Sequence, residues 1–173
     1  ELLLTESGRA AADSIFRRHA LCECWSFEPA VSGDGRFVAF HSSATNLVVG
    51  DDNGKQDVFV RDRQLGTTER VSVATGGAQA NGNSSSPIIT PDGRFVAFQS
   101  FASNLVPADT TGVLELFLRD RLLGTTERVI LDSDEHPVNG NASSMAISAD
   151  GRFVTFAHDS PNLVTGDTNF RAD

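Results

Sequence analysis

The stretch that decides the fold is Asp34-Gly-Arg-Phe-Val-Ala-Phe40, which recurs as residues 92–98 and, nearly unchanged, as residues 150–156. The copies start at positions 34, 92 and 150, so the sequence repeats with a constant offset of 58. With this offset, residues 29–86 and 87–144 are identical at more than half of their positions without a gap. A fixed period of this size indicates a stacked or radial architecture, in which each unit completes its core only by packing on a neighbour.

Each repeat carries the signals of four short strands. The Asp92-Gly93 pair is a hairpin turn signal, and the residues after it, 94–99, are rich in β-branched and aromatic types. The partner strand of this hairpin is predicted at residues 87–90. A third and a fourth strand are predicted in the preceding repeat, at residues 57–63 and 68–73. Four antiparallel strands per repeat make one propeller blade, whose two faces both pack on neighbouring blades.

The repeat and its strand signals therefore predict an all-β fold. This fold is a partial β-propeller with about two and a half four-stranded antiparallel blades. Residues 29–86 form blade 1, residues 87–144 form blade 2, and residues 145–173 form an incomplete blade 3. Residues 1–28 do not match the repeat and predict a short helix. Because closed propellers have about four to eight blades, we expect a fragment of a longer propeller. If the chain were complete, its unfinished third blade would favour self-association.

The turn sequence also resembles a known family. Thr90-Pro-Asp-Gly-Arg-Phe-Val-Ala-Phe98 is similar to the Ser/Thr-Pro-Asp-Gly signature of the TolB-like, WD-like bacterial β-propeller repeat. In the first and third repeats the signature starts at Ser32 and Ser148, and the proline is missing. This resemblance implies a non-catalytic module that binds a protein or another ligand, in the periplasm or outside the bacterial cell. The alternative is an accessory propeller of a prolyl-oligopeptidase-type hydrolase whose catalytic domain lies outside these residues.

Composition excludes several other classes of protein. The chain has 23 acidic and 14 basic residues, a net charge of −9 and a single lysine, Lys55, so it lacks the basic surface that nucleic acid binding requires. No apolar run approaches the length of about 20 residues that a membrane-spanning helix needs, and no signal peptide is recognisable. Cys22 and Cys24 are too close in sequence to staple the fold.

Each repeat has an acidic loop before its third strand, and the clearest is Asp51-Asp-Asn-Gly-Lys-Gln-Asp57. Carboxylate and amide oxygens at alternate positions suit calcium, although the glycine does not stand where the EF-hand pattern has it. The alternative is that these residues serve turn geometry and solubility. A calcium-stiffened surface or adhesion module is therefore a further hypothesis. Its candidate metal ligands are Asp51, Asn53, Asp57, Asp109, Glu115, Asp167, Asn169 and Asp173.

No residue pattern predicts catalysis, so we expect neither an enzyme nor any cofactor other than calcium. The sequence has no Gly-x-Ser-x-Gly nucleophile motif, and its four histidines form no metal-binding pattern, which favours ordinary surface or loop positions. The Arg61-Asp-Arg63 motif and its copy at Arg119–Arg121 are expected to form ion pairs with neighbouring blades and with the Glu-Arg pairs of the fourth strands.

Overall fold

The computed structural model describes residues 26–107, 112–131, 136, 138, 142–158 and 163. These residues form an all-β structure, in which ten strands make three antiparallel sheets and no helix is found. The predicted fold class is thereby confirmed. The helix expected in residues 1–28 falls almost wholly outside the described residues. Among the residues that are described, no helix has the length and apolar character needed to cross a bilayer.

The first two sheets are complete blades whose strands follow one another in chain order. Blade 1 contains β1 (Ser26–Val31), β2 (Phe37–Ser42), β3 (Asp57–Asp62) and β4 (Thr67–Arg70). Blade 2 contains β5 (Ser84–Ile89), β6 (Phe95–Ser100), β7 (Glu115–Asp120) and β8 (Thr125–Arg128). Blade 3 contributes β9 (Ala142–Ile147) and β10 (Val154–His158). The strands of blades 1 and 2 recur with the offset of the sequence repeat, so the sequence repeat is a structural repeat.

The first strand of each blade starts earlier than the hairpin pattern predicts. The glycine, asparagine and serine residues at 81–86 favour a connection between blades, but Ser84, Ser85 and Ser86 already belong to β5. The connection proper is held by side chains, because Asn81 accepts the backbone N–H of Ser103 at 2.8 Å. The blade boundaries drawn from the repeat remain a prediction.

The recurring turn between the first and second strands explains why its residues recur. The Ser32 hydroxyl donates to Asp34 at 2.6 Å and accepts the Phe37 N–H at 2.9 Å, while Asp34 also accepts the Arg36 N–H. Gly35 has a φ of 71°, a conformation that glycine adopts without steric cost. Equivalent bonds hold the other two turns. A hydroxyl, an aspartate and a glycine are thus required at fixed positions.

The hydrophobic core lies between the blades, as expected of a propeller. Val38, Ala39 and Phe40 are all buried, so both faces of β2 are covered. The Phe40 ring stacks on Phe59 of the neighbouring strand, with centroids 5.8 Å apart, and the equivalent pair in blade 2 stacks at 6.0 Å. Each fully buried aromatic ring of this kind contributes about 1.5–3 kcal/mol. The recurrent phenylalanines at these positions are core residues.

Candidate functional site

The first acidic loop folds around an arginine. Asp57 is completely buried at the start of β3, and its carboxylate lies 3.3 Å from Nη1 of Arg70. The Asp51 carboxylate lies 3.5 Å from Nη2 of the same guanidinium. Asn53 donates from Nδ2 to Asp57 at 2.8 Å. The structure therefore brings three of the candidate calcium ligands together, with Arg70 between the two carboxylates.

Opposing effects act on the Asp57 carboxyl. Burial is the largest of them and raises the pKa of Asp57 above its usual value. The hydrogen bonds from Ser72, at 2.6 Å, and from Asn53 and the charge of Arg70 lower the pKa, but by less than burial raises it. A buried carboxylate without a counter-charge is costly by several kcal/mol, and Arg70 supplies that charge. A calcium ion bound here would compete with Arg70 for the same oxygens.

The second acidic loop repeats this pairing. Glu115, the equivalent of Asp57, is buried, and its Oε2 lies 3.0 Å from Nη2 of Arg128, the equivalent of Arg70. Within the described parts of the chain, no group of three or more His, Cys, Asp and Glu side chains could hold a metal ion. The remaining candidate ligands lie outside the described residues, so calcium binding stays a prediction. These ligands are Asp109, Asp167, Asn169 and Asp173.

The Arg-Asp-Arg motif forms ion pairs of two kinds. The Asp62 carboxylate accepts hydrogen bonds from Nε and Nη2 of Arg36 within its own blade, and the shorter of them is 2.7 Å long. This contact lowers the pKa of Asp62 to about 2. Arg121 of blade 2 instead reaches Glu69 of blade 1 at 2.5 Å. The pairing expected between neighbouring blades is therefore present at Arg121, while Asp62 pairs inside its blade.

A groove of about 370 Å³ runs along the first strands of the three blades. We call it the inner-strand groove. Three apolar side chains, three serine hydroxyls, one amide and one carboxylate line it. The lining residues are Glu28, Ser86, Pro87, Ile88, Gln99, Ser143, Ser144 and Met145. Apolar surface with a few hydrogen-bonding groups makes this groove a candidate binding site.

The inner-strand groove is built on three equivalent β-bulges. Glu28, Ser86 and Ser144 occupy the same position in successive repeats, and each has a positive φ of 51–52°. At every one of them two residues of the first strand oppose a single residue of the second, as the shifts of register show. A non-glycine residue in this conformation costs of order 1–3 kcal/mol, and such strain clusters at binding sites.

The sequence contains a signal for these bulges that the strand prediction did not use. Pro29 and Pro87 directly follow the strained residues of the first two blades. Proline has no N–H to give to a strand ladder, so a proline inside a strand indicates an edge strand or a bulge. The blade 3 equivalent is Met145, and no local signal marks that site.

The histidines are not all in the surface or loop positions that the sequence favours. His41 lies in β2 and His158 ends β10, and both are buried. Burial lowers the pKa of His41. His136 is exposed, and His19 lies outside the described residues. The two strand histidines lie in different blades.

Comparison with known proteins gives similar folds and no family. No family model matches the chain, and no curated protein matches it. Among solved structures, TolB from Acinetobacter baumannii is 20% identical with a TM-score of 0.47, covering 76% of this chain and 26% of its own. The putative TolB from Agrobacterium tumefaciens is 20% identical, with a TM-score of 0.47 and coverage of 78% and 38%. The β-propeller domain of the Trilobed protease from Pyrococcus furiosus is 15% identical, with a TM-score of 0.49 and coverage of 78% and 34%.

The class of protein follows from the sheets. Two four-stranded antiparallel blades and part of a third, packed through buried cores and repeating in step with the sequence, define a partial β-propeller. The chain spans about a quarter to two fifths of the length of the solved propellers it resembles.

Proposed function

We propose that this chain is part of a non-catalytic β-propeller module that binds a protein partner in the inner-strand groove. The observation that supports the proposal is the composition of that groove. Serine hydroxyls suit the backbone of an extended peptide, and Pro87, Ile88 and Met145 suit its apolar side chains. A periplasmic or extracellular location in bacteria belongs to the same proposal, through the resemblance of the repeat, and cell fractionation tests it.

A displayed random-peptide library selected on the immobilised chain tests the groove. Peptides recovered from the selection are expected to bind Ser143→Arg about tenfold or more weakly than the wild type in fluorescence anisotropy, because the new side chain fills the groove. The matched control is Ser43→Arg, which makes the same change at an exposed serine outside the lining. Equal binding to both variants, or no enriched peptide, would contradict the proposal.

An accessory propeller of a hydrolase is the alternative for the whole protein. The coding sequence on either side of this segment distinguishes the two. A Gly-x-Ser-x-Gly motif on a neighbouring domain would favour the hydrolase, whereas further copies of the same repeat alone would favour the binding module.

A calcium-stiffened surface or adhesion module is the third hypothesis, and thermal melting with calcium and with a chelator tests it. Calcium at Asp51 and Asp57 would raise the midpoint through ligand linkage. An Asn53→Ala variant, which loses one candidate ligand, should then lose that rise. An unchanged wild-type midpoint would remove the hypothesis.

A further inference from the structure

Glu28 is the one charged side chain among the described residues that line the inner-strand groove. More than half of the side chain, 58%, is exposed, and its Oε2 lies 3.6 Å from Nδ1 of His41. An exposed carboxylate at the wall of a groove that is otherwise neutral sets the sign of the electrostatic potential there.

Glu28 also breaks the repeat. The equivalent bulge positions are Ser86 and Ser144, which are neutral. All three residues share nearly the same backbone conformation, so the fold does not require a carboxylate at this bulge. The inner-strand groove is consequently polarised, with a negative charge at the blade 1 end and hydroxyl groups at the other two blades.

We propose that the partner segment is an extended peptide that places a lysine or arginine side chain against Glu28. This inference rests on the proposed function of the same groove. Pro87 and Ile88 line the groove together with Glu28. The basic residue of the peptide is therefore expected to be flanked by apolar residues that contact Pro87 and Ile88. A pairing between opposite charges at a half-exposed position chiefly decides which partner is selected and how fast it associates.

The test repeats the peptide selection on the wild type, Glu28→Gln and Glu28→Lys. The wild type should enrich peptides with lysine or arginine at one fixed position beside apolar residues. Glu28→Gln should lose this preference, and Glu28→Lys should replace it with aspartate or glutamate. A recovered peptide and its Lys→Gln copy should differ about threefold to fivefold in affinity for the wild type and little for Glu28→Gln. Glu127→Lys, a charge reversal at an exposed residue outside the groove, is the control.

The possible results separate this inference from the proposal beneath it. If all the variants enrich the same peptides while Ser143→Arg still weakens their binding, the role of Glu28 is overturned and the groove stands. If Ser143→Arg has no effect either, the groove itself is wrong. Circular dichroism shows whether Glu28→Lys folds. If it does not, the comparison of wild type with Glu28→Gln alone decides whether Glu28 selects basic peptides.

Discussion

At the scale of single residues, the bidentate pair between Asp62 and Arg36 predicts how the blade responds to acid. The folded state lowers the pKa of Asp62 from 3.8 to about 2, so its contribution to stability is present above 3.8 and is lost as the pH falls through about 2. Asp62→Asn should therefore destabilise the protein above pH 3.8, and the difference from wild type should shrink towards pH 2. Urea unfolding across this range measures it.

The control for this residue is Glu127→Gln, which removes an exposed carboxyl from β8. It shows whether removing a carboxyl from another strand produces the same pH-dependent difference. A difference between wild type and Asp62→Asn that stays constant down to pH 2 would show that the Arg36 contact does not stabilise the charged carboxyl.

At the scale of elements, the turn between β5 and β6 is expected to be more sensitive than its copy between β1 and β2. A Cβ on Gly93 would lie 2.1 Å from Cδ2 of Phe37, whereas a Cβ on Gly35 would meet only Arg63, at 3.7 Å. Both glycines have positive φ, so alanine at either costs about 1–2 kcal/mol of backbone strain. Gly93→Ala should cost a further amount of about 1–3 kcal/mol from overpacking.

Chemical denaturation of the two alanine variants measures this difference directly, because the backbone cost is common to both. Equal free energies of unfolding would mean that the Phe37 ring moves aside at little cost. Phe37 has little freedom to do so, since Arg36 and Arg121 lie over it at 4.7 and 4.4 Å.

The elements also show how far the sequence alone could lead. The strands and the turn before β6 were predictable because turn chemistry and β-rich composition are local, and the repeat supported each assignment from another copy. The partner of Asp57 was not predictable in the same way. It depends on the register that places Arg70 beside Phe59 and near Asp57, and register is a property of the paired strands. The bulge at Glu28 likewise appears only when β1 is paired with β2.

At the scale of the whole molecule, the three equivalent phenylalanines of the recurring turn occupy two different environments. Phe37 packs on Gly93 and Phe95 packs on Gly151, each at the boundary with the following blade. Phe153, the third copy, remains 63% exposed. Arg152 lies 5.4 Å from the centre of its ring. The cost of losing the ring should therefore depend on the blade and not on the turn sequence.

Phe37→Ala and Phe95→Ala are each expected to lower the free energy of unfolding by about 1–3 kcal/mol, because each ring buries apolar surface between blades. The free energy of unfolding of Phe153→Ala should stay within about 0.5 kcal/mol of that of the wild type.

Sedimentation of the same three variants separates stability from association. If exposed Phe153 supports self-association, its alanine variant alone should become more monomeric without losing stability. A loss of stability for Phe153→Ala as large as for Phe37→Ala would show that the third ring is covered in solution.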